Sequence, residues 1–350
     1  MLADIPQSKW GPGTGRQVIL KSDFDKIEDA VVESFDLTYC PDLEWVNATQ
    51  VRIPATADCQ ARVMMSGFPC PLHRGLFVDG NLSDGKYRVN SSDTVMDFDT
   101  AAQFWGSEKA NQWYCVYGIA GNNDTNFSLK AMPVMRFGSQ AAQVITLRHN
   151  DNSSDIGYGF TTNELQNAKL LVLSGTSRGL IRTITANNND NGTGGTITYS
   201  GSALTMSQGD WFIVLPATNF RGLGMILNDA SSNIVPFWKA GNRVNWNQPI
   251  DICAGAINGF TALDLALKVP ITARRLFGLA TAVSGYDVKV AISYDGTNMA
   301  QVFHVYPPST DFKGVRGALP FDCAILDGNK IYLDNDNTAN QVVKAVGWEE

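Results

Sequence analysis

The feature that most constrains this chain is its punctuation. From Asp36 onward, short apolar or alternating runs follow one another, among them TQVRIPA, GKYRVN, TVMDFD, QWYCVYGIAG and FSLKAMPVMRF, with turns such as DGN, SDG and GNND between them. A parallel α/β sheet needs a crossover of about a dozen residues or more between successive strands, whereas strands this closely spaced, with no helical period between them, build antiparallel sandwiches or barrels. Composition points the same way. Charged residues make up 17% of the chain, below the usual ~25%. Asn, Ser, Thr and Gly take their place, and these serve turns and positive φ, while Thr and Val favour strands.

The pattern predicts an all-β protein: antiparallel β-sandwich or jelly-roll-like domains, a small inserted β-barrel-like module, and one short N-terminal helix. The expected divisions are an N-terminal arm and helix (1–35), a β-sandwich domain (36–138), the inserted module (139–219) and a C-terminal β-sandwich domain (220–350). Within the insert, AQVITLRH, AKLLVLSG, GLIRTITANN, GTITYSG and GDWFIVLP read as successive strands. Trp211 to Leu215 is apolar on both alternating faces, which predicts a strand buried on both sides. The segment NNNDNGTGG reads as a mobile hairpin tip, and TTNELQNA, with Thr161 three residues before Glu164, as one helical turn. Leu263, Leu265, Leu267 and Val269 alternate strictly and predict a strand over ALDLALKVP. Because the insert carries its own strands and turns, its removal is expected to leave the flanking domains folded.

SDFDKIEDAVVESF, residues 22–35, is the helix signal. Ser22 suits an N-cap, acids crowd the first turn, and Phe24, Ile27, Val31 and Phe35 form one apolar stripe. A helix this short needs a surface to pack on. That surface is either a sheet of its own chain or further copies of itself; the second reading predicts a homo-oligomer, with a trimer favoured.

Chemistry has little raw material. The three histidines, His73, His149 and His304, are widely separated and stand in no HExxH or HxH arrangement. There is no GxSxG elbow and no phosphate loop. Gly11, Gly13 and Gly15 imitate a dinucleotide fingerprint, but no strand precedes them and the spacing is wrong. Asp97 with Asp99, and Asp334 with Asp336, are carboxylate pairs two residues apart, the only hint of glycan cleavage. The segment from Asp334 begins like a calcium loop but has Ala339 where Gly is needed and Ala345 where Glu is needed. No catalytic residue, cofactor or metal ligand is therefore expected.

Six cysteines lie scattered without a CxxC, mostly inside apolar runs, and are expected to be reduced, buried thiols. A formal net charge of −7 without a cluster of cations argues against nucleic acid. No apolar run is long enough to span a bilayer and the start lacks the pattern of a signal peptide, so no membrane insertion is expected. The candidate recognition residues are tryptophans at loop ends: Trp105 and Trp113 around GSEKANQ, and Trp238 and Trp246 around KAGNRVN. Exposed, they would stack on sugars or anchor an interface; core packing is the competing role.

The order LKAMPVMRF, then SGTSRGLIRTI with the closure GDWFIVLP, then RGLGMILNDASSNIVPFWKAGNRVNW resembles tailed-bacteriophage virion proteins of the fibre and decoration type. ITARRLFGLATA and VAISYDG look like such proteins too, and the likeness covers residues 125–300. It implies a non-enzymatic building block of the virion, made in the host cytoplasm, in a tail fibre or baseplate, with other virion proteins and host-surface polysaccharide or protein as partners. A capsid decoration protein or head fibre is the alternative within that class. A glycan-active tail enzyme is the rival from another class.

Overall fold

The computed structural model describes residues 43–55, 61–64, 68–70, 75–77, 87–150, 154–190, 194–254, 257–283, 288–293, 299–305, 316–325, 329–335 and 342–350. All belong to one compact unit, Pro41–Glu350. The expected helix, with Phe24, Ile27, Val31 and Phe35, lies outside the described residues. Among the described residues there is one 3-10 turn, Ala101–Gln103, and otherwise strand. The fold is all-β, as the punctuation requires.

The first strands are short. β1 (Glu44–Asn47), β2 (Gln50–Ile53) and β7 (Thr94–Asp97) form an antiparallel sheet, while β3 (Ala61–Met64) pairs with β6 (Tyr87–Asn90) and β4 (Phe68–Cys70) with β5 (Gly75–Phe77). They lead into a central sheet of β8 (Gln112–Ala120), β9 (Ser128–Pro133) and β16 (Asn219–Asn228), in the order β16-β8-β9. Nearly every residue of β8 and β16 is buried, so this sheet is covered on both faces. A bulge at Gly222–Gly224 offsets β16 against β8.

Between β9 and β16 the chain makes a closed barrel. Its strands are β10 (Met135–Ala141), β11 (Val144–Arg148), β12 (Lys169–Val172), β13 (Ile181–Asn187), β14 (Thr196–Tyr199) and β15 (Trp211–Leu215), hydrogen-bonded as β10-β11-β14-β13-β12-β15 and back to β10. β15 is buried at every residue, as its apolar faces predict. One polar knot fixes the seam. Ser174 Oγ accepts from Trp211 N at 2.8 Å and donates to Asp210 Oδ1 at 3.2 Å, while Asp210 Oδ2 accepts from Ser207 N at 2.7 Å. Gly175 sits at φ +73° with Asp210 Oδ2 only 2.1 Å from where a Cβ would stand, so the turn admits glycine alone.

The remaining strands make a two-sheet sandwich. They are β17 (Phe237–Ala240), β18 (Arg243–Ala254), β19 (Ile257–Asp264), β20 (Arg275–Val283), β21 (Val288–Ser293), β22 (Met299–Val305), β23 (Arg316–Ala324), β24 (Lys330–Asn335) and β25 (Val342–Glu349). One sheet runs β17-β18-β25-β20-β23 and the other β19-β24-β21-β22. Counting β18 to β25 as one to eight, the orders are 1-8-3-6 and 2-7-4-5. This is the eight-stranded jelly roll of two Greek keys, with β17 added at one edge. Leu276, Ala280, Val290, Leu333, Val343 and Ala345 fill the space between its sheets.

One expectation needs correction. The strand reading of ALDLALKVP fails after Asp264, where Lys268 N and Val269 N both bond to Leu265 O, at 2.7 and 3.1 Å, and form a single turn. Its apolar spacing serves burial rather than period two, since Leu265 and Val269 are both fully buried. Of the segment NNNDNGTGG, residues 191–193 lie outside the described residues, while its start is anchored. Asn187 Nδ2 donates to Thr161 O at 2.8 Å and Asp190 Oδ2 accepts from Tyr158 N at 2.8 Å, with both side chains buried. The capping signal before them is half realised, as Glu164 Oε2 accepts from Thr161 N at 2.9 Å.

Candidate recognition surface

Among the described residues, no three His, Cys, Asp or Glu side chains stand where they could share a metal ion. His149 Nε2 lies 3.1 Å from Ala110 O. Strand β7 ends at Asp97, so Asp97 and Asp99 do not share a strand face; Asp97 Oδ1 accepts from Asp99 N at 2.9 Å and Oδ2 from Gln50 Nε2 at 2.6 Å. Asp334 pairs with Lys289 at 3.1 Å, and Asp336 lies outside the described residues. Cys115, Cys253 and Cys323 are free thiols. Burial pushes the thiol pKa of Cys115 well up and that of Cys323 up to about 12, which suppresses the reactive thiolate.

The four candidate tryptophans part company. Trp113, on β8, is 1% exposed, and Trp246, on β18, is 3% exposed. With Trp348 of β25 they form a buried cluster, with ring centroids 4.8–6.0 Å apart. The indole N–H groups of Trp113 and Trp246 donate to Ala266 O at 2.6 Å and Lys268 O at 3.1 Å, which secures the turn after β19 to the central sheet. These two are core residues that join the jelly roll to β8, and neither faces solvent. Trp105 is half-buried, edge-on to Tyr117, with Lys130 Nζ 4.5 Å above its ring. Only Trp238, on edge strand β17, is open, at 51% exposure.

Trp238 stands on the outer face of the five-stranded sheet, because Phe237 and Lys239 on either side point inward and are covered. The pairing register lays out two rows there. One is Trp238, Asn245, Gly347, Phe277 and Asp322; the other is Ala240, Arg243, Glu349, Arg275 and Ala324. Arg243 reaches across β25 to lie 4.2 Å over the Phe277 ring. Gly347 makes that reach possible, since the strand carries no side chain at the crossing point. A Cβ there would come within 2.2 Å of Val244 O. Asn245, 3% exposed, accepts from Arg243 Nε at 3.3 Å, and its own Nδ2 has no hydrogen-bond partner. Glu349 Oε1 accepts from Asn242 Nδ2 at 2.7 Å. Arg275 and Asp322 pair through two bonds of 2.9 and 2.6 Å.

Sequence reasoning singled out Trp238 with three other tryptophans and gave no signal for Arg243, Phe277, Glu349 and Gly347, which lie on the same face. They come from three strands far apart in the chain, and only the sheet register makes them neighbours. No family model matches the chain, and no curated protein matches it. No helix among the described residues is long and apolar enough to cross a membrane.

Proposed function

We propose that this chain is a non-enzymatic structural protein of a bacteriophage particle, part of a tail fibre or baseplate, that contributes to assembly and host attachment. One structural observation supports the reading most: an eight-stranded jelly roll and a closed barrel in one compact unit, joined by the Arg136–Asp264 ion pair, with the jelly roll packed on the central sheet through Trp348 and Trp113. Jelly rolls recur in viral capsid and lectin domains, an analogy of architecture that adds to the resemblance of the motifs. The buried and paired carboxylates and thiols fit a building block better than a catalyst. Attachment would work by avidity: a symmetric oligomer, a trimer in this reading, holds several copies of one exposed face in one orientation, so that weak contacts to a cell surface multiply.

The capsid use of the jelly roll favours a second reading, a decoration protein or head fibre. Electron microscopy of particles carrying an epitope-tagged copy of the chain separates the two. Label at the tail tip or along fibres is the expected result, label over the head selects the decoration reading, and particles free of the chain overturn both. An assay for reducing ends released from host polysaccharide tests the glycan-active rival, with no release expected.

A further inference from the structure

We propose that the outer face of the jelly roll's five-stranded sheet binds an uncharged, hydroxyl-rich saccharide, with Trp238 as the stacking platform and Arg243 and Glu349 as the hydrogen-bonding pair. The proposal rests on the attachment role above and names its ligand class and its site. An indole with half its surface in water on a sheet edge presents an apolar, electron-rich plane, and the C–H face of a pyranose, with its partial positive charge, complements it. Next to Trp238 on the same face is Ala240, whose small side chain leaves room for a ring to lie flat.

Arg243 stands opposite Ala240 on the adjacent strand and is held from two sides, by the Phe277 ring beneath it and by Asn245 Oδ1 at its Nε. Its terminal N–H groups are thus pre-aimed donors that lose little freedom on binding. Glu349, the ladder partner of Arg243, is steadied by Asn242 and adds an acceptor. A fixed donor next to a fixed acceptor matches two vicinal hydroxyls. From Trp238 to Phe277 is three strand spacings, about 14 Å, which a short oligosaccharide covers.

The charge pattern selects against an ionic ligand. Arg275 pairs with Asp322 at 2.6 Å, Lys344 with Asp251 at 3.0 Å, and Arg243 stands across from Glu349, so each of these cations has an anion beside it, which weakens any field that would draw an anion. A protein partner would look for a larger apolar patch than one indole supplies.

The test is calorimetric titration of the purified full chain with maltohexaose, cellohexaose and chitohexaose, and with oligogalacturonate and a heparin fragment as charged comparators. Saturable binding of at least one neutral oligosaccharide, tighter than either charged probe, is expected. Trp238→Ala should weaken it about tenfold or more, Trp238→Phe less, and Arg243→Ala by several-fold. Val302→Ser, at an exposed position on the other sheet, should leave it unchanged. The proposal is overturned if no neutral probe binds, if the charged probes bind more tightly, or if Trp238→Ala binds as the parent does. Binding that persists while particles lack the chain would sink the virion reading alone, and a particle-borne chain whose Trp238→Ala variant keeps its affinity would sink only this site.

Discussion

The barrel and the jelly roll solve the same problem in opposite ways. Both are antiparallel and both bury a core of aliphatic residues, but the barrel closes β15 onto β10 and leaves no unpaired strand edge, while the sandwich ends its sheets at β17, β23, β19 and β22. A closed sheet has no edge for another strand to join, whereas an open one does. The most exposed large apolar side chains of the jelly roll, Trp238, Val302 and Leu319, stand on those edge strands. The inserted segment also leaves Val144 and Leu180 exposed, at 36% and 43%, but it is tied to its neighbours by polar contacts. Tyr117 of the central sheet donates to Val214 O at 3.1 Å, Asn150 accepts from Trp113 N at 2.8 Å, and Arg136 lies 4.1 Å over Trp211 while pairing with Asp264 at 2.8 Å. The difference teaches that the inserted segment is tied into the core beside the central sheet, while the sandwich keeps open edges.

The largest expected effect breaks the comparison outright. Deleting residues 139–219 strips the partners from Trp113 N and Tyr117 Oη and bares one face of the central sheet. A buried group left unpaired costs about 1–3 kcal/mol, against about 5–15 kcal/mol for a whole domain. Loss of the cooperative thermal transition is the expected outcome. A shortened chain that melts cooperatively near the parent temperature would restore the insert to the independent module its strands and turns suggest.

Trp348→Ala opens a cavity where the jelly roll meets β8, and should cost about 3–5 kcal/mol in denaturant unfolding. An effect under about 1 kcal/mol would mean that the aromatic cluster carries little of the union between the two sheets. Within the barrel, Gly175→Ala drives a Cβ into the Asp210 carboxylate from a left-handed backbone, and should cost about 1–3 kcal/mol. Unchanged hydrogen exchange at Trp211 and Leu173 in that variant would show that the Ser174–Asp210 knot is dispensable.

A smaller, pH-dependent effect is expected at Glu108, whose carboxyl is held above its ordinary pKa by burial, with the Asn228 amide bond opposing the shift. A raised folded pKa means that the native state holds the proton more tightly. The stabilisation is therefore fully present below the unfolded pKa and is lost as pH rises through the folded one. Glu108→Gln should flatten the slope of stability between pH 4 and pH 7, as read by melting temperature, and an identical slope in variant and parent would assign the dependence elsewhere. The smallest effect is expected at Trp238. Truncating so exposed a ring to alanine should shift stability by no more than about 0.5 kcal/mol, which separates this exposed ring from the buried tryptophans that resemble it in sequence.

What the sequence determined by itself is local. Short apolar or alternating runs marked β8, β9 and the barrel strands, the two-faced apolar run marked β15 as buried throughout, and Gly209-Asp210 announced the turn that feeds it, because each depends on neighbours within a few residues. Trp238 was legible only as one of four equivalent tryptophans. Tertiary structure alone decided which of them is open, because Trp113 finds its acceptor, Ala266 O, 153 residues away. It alone turned Leu265 to Val269 out of a strand and into a buried turn, since the same spacing of leucines satisfies either burial geometry. It also placed Arg243 over Phe277 across a glycine on a third strand, a coincidence of register between segments that share no local signal. Side-chain period fixes the face that a residue takes in its own strand, but only the order in which distant strands pair fixes what stands beside it.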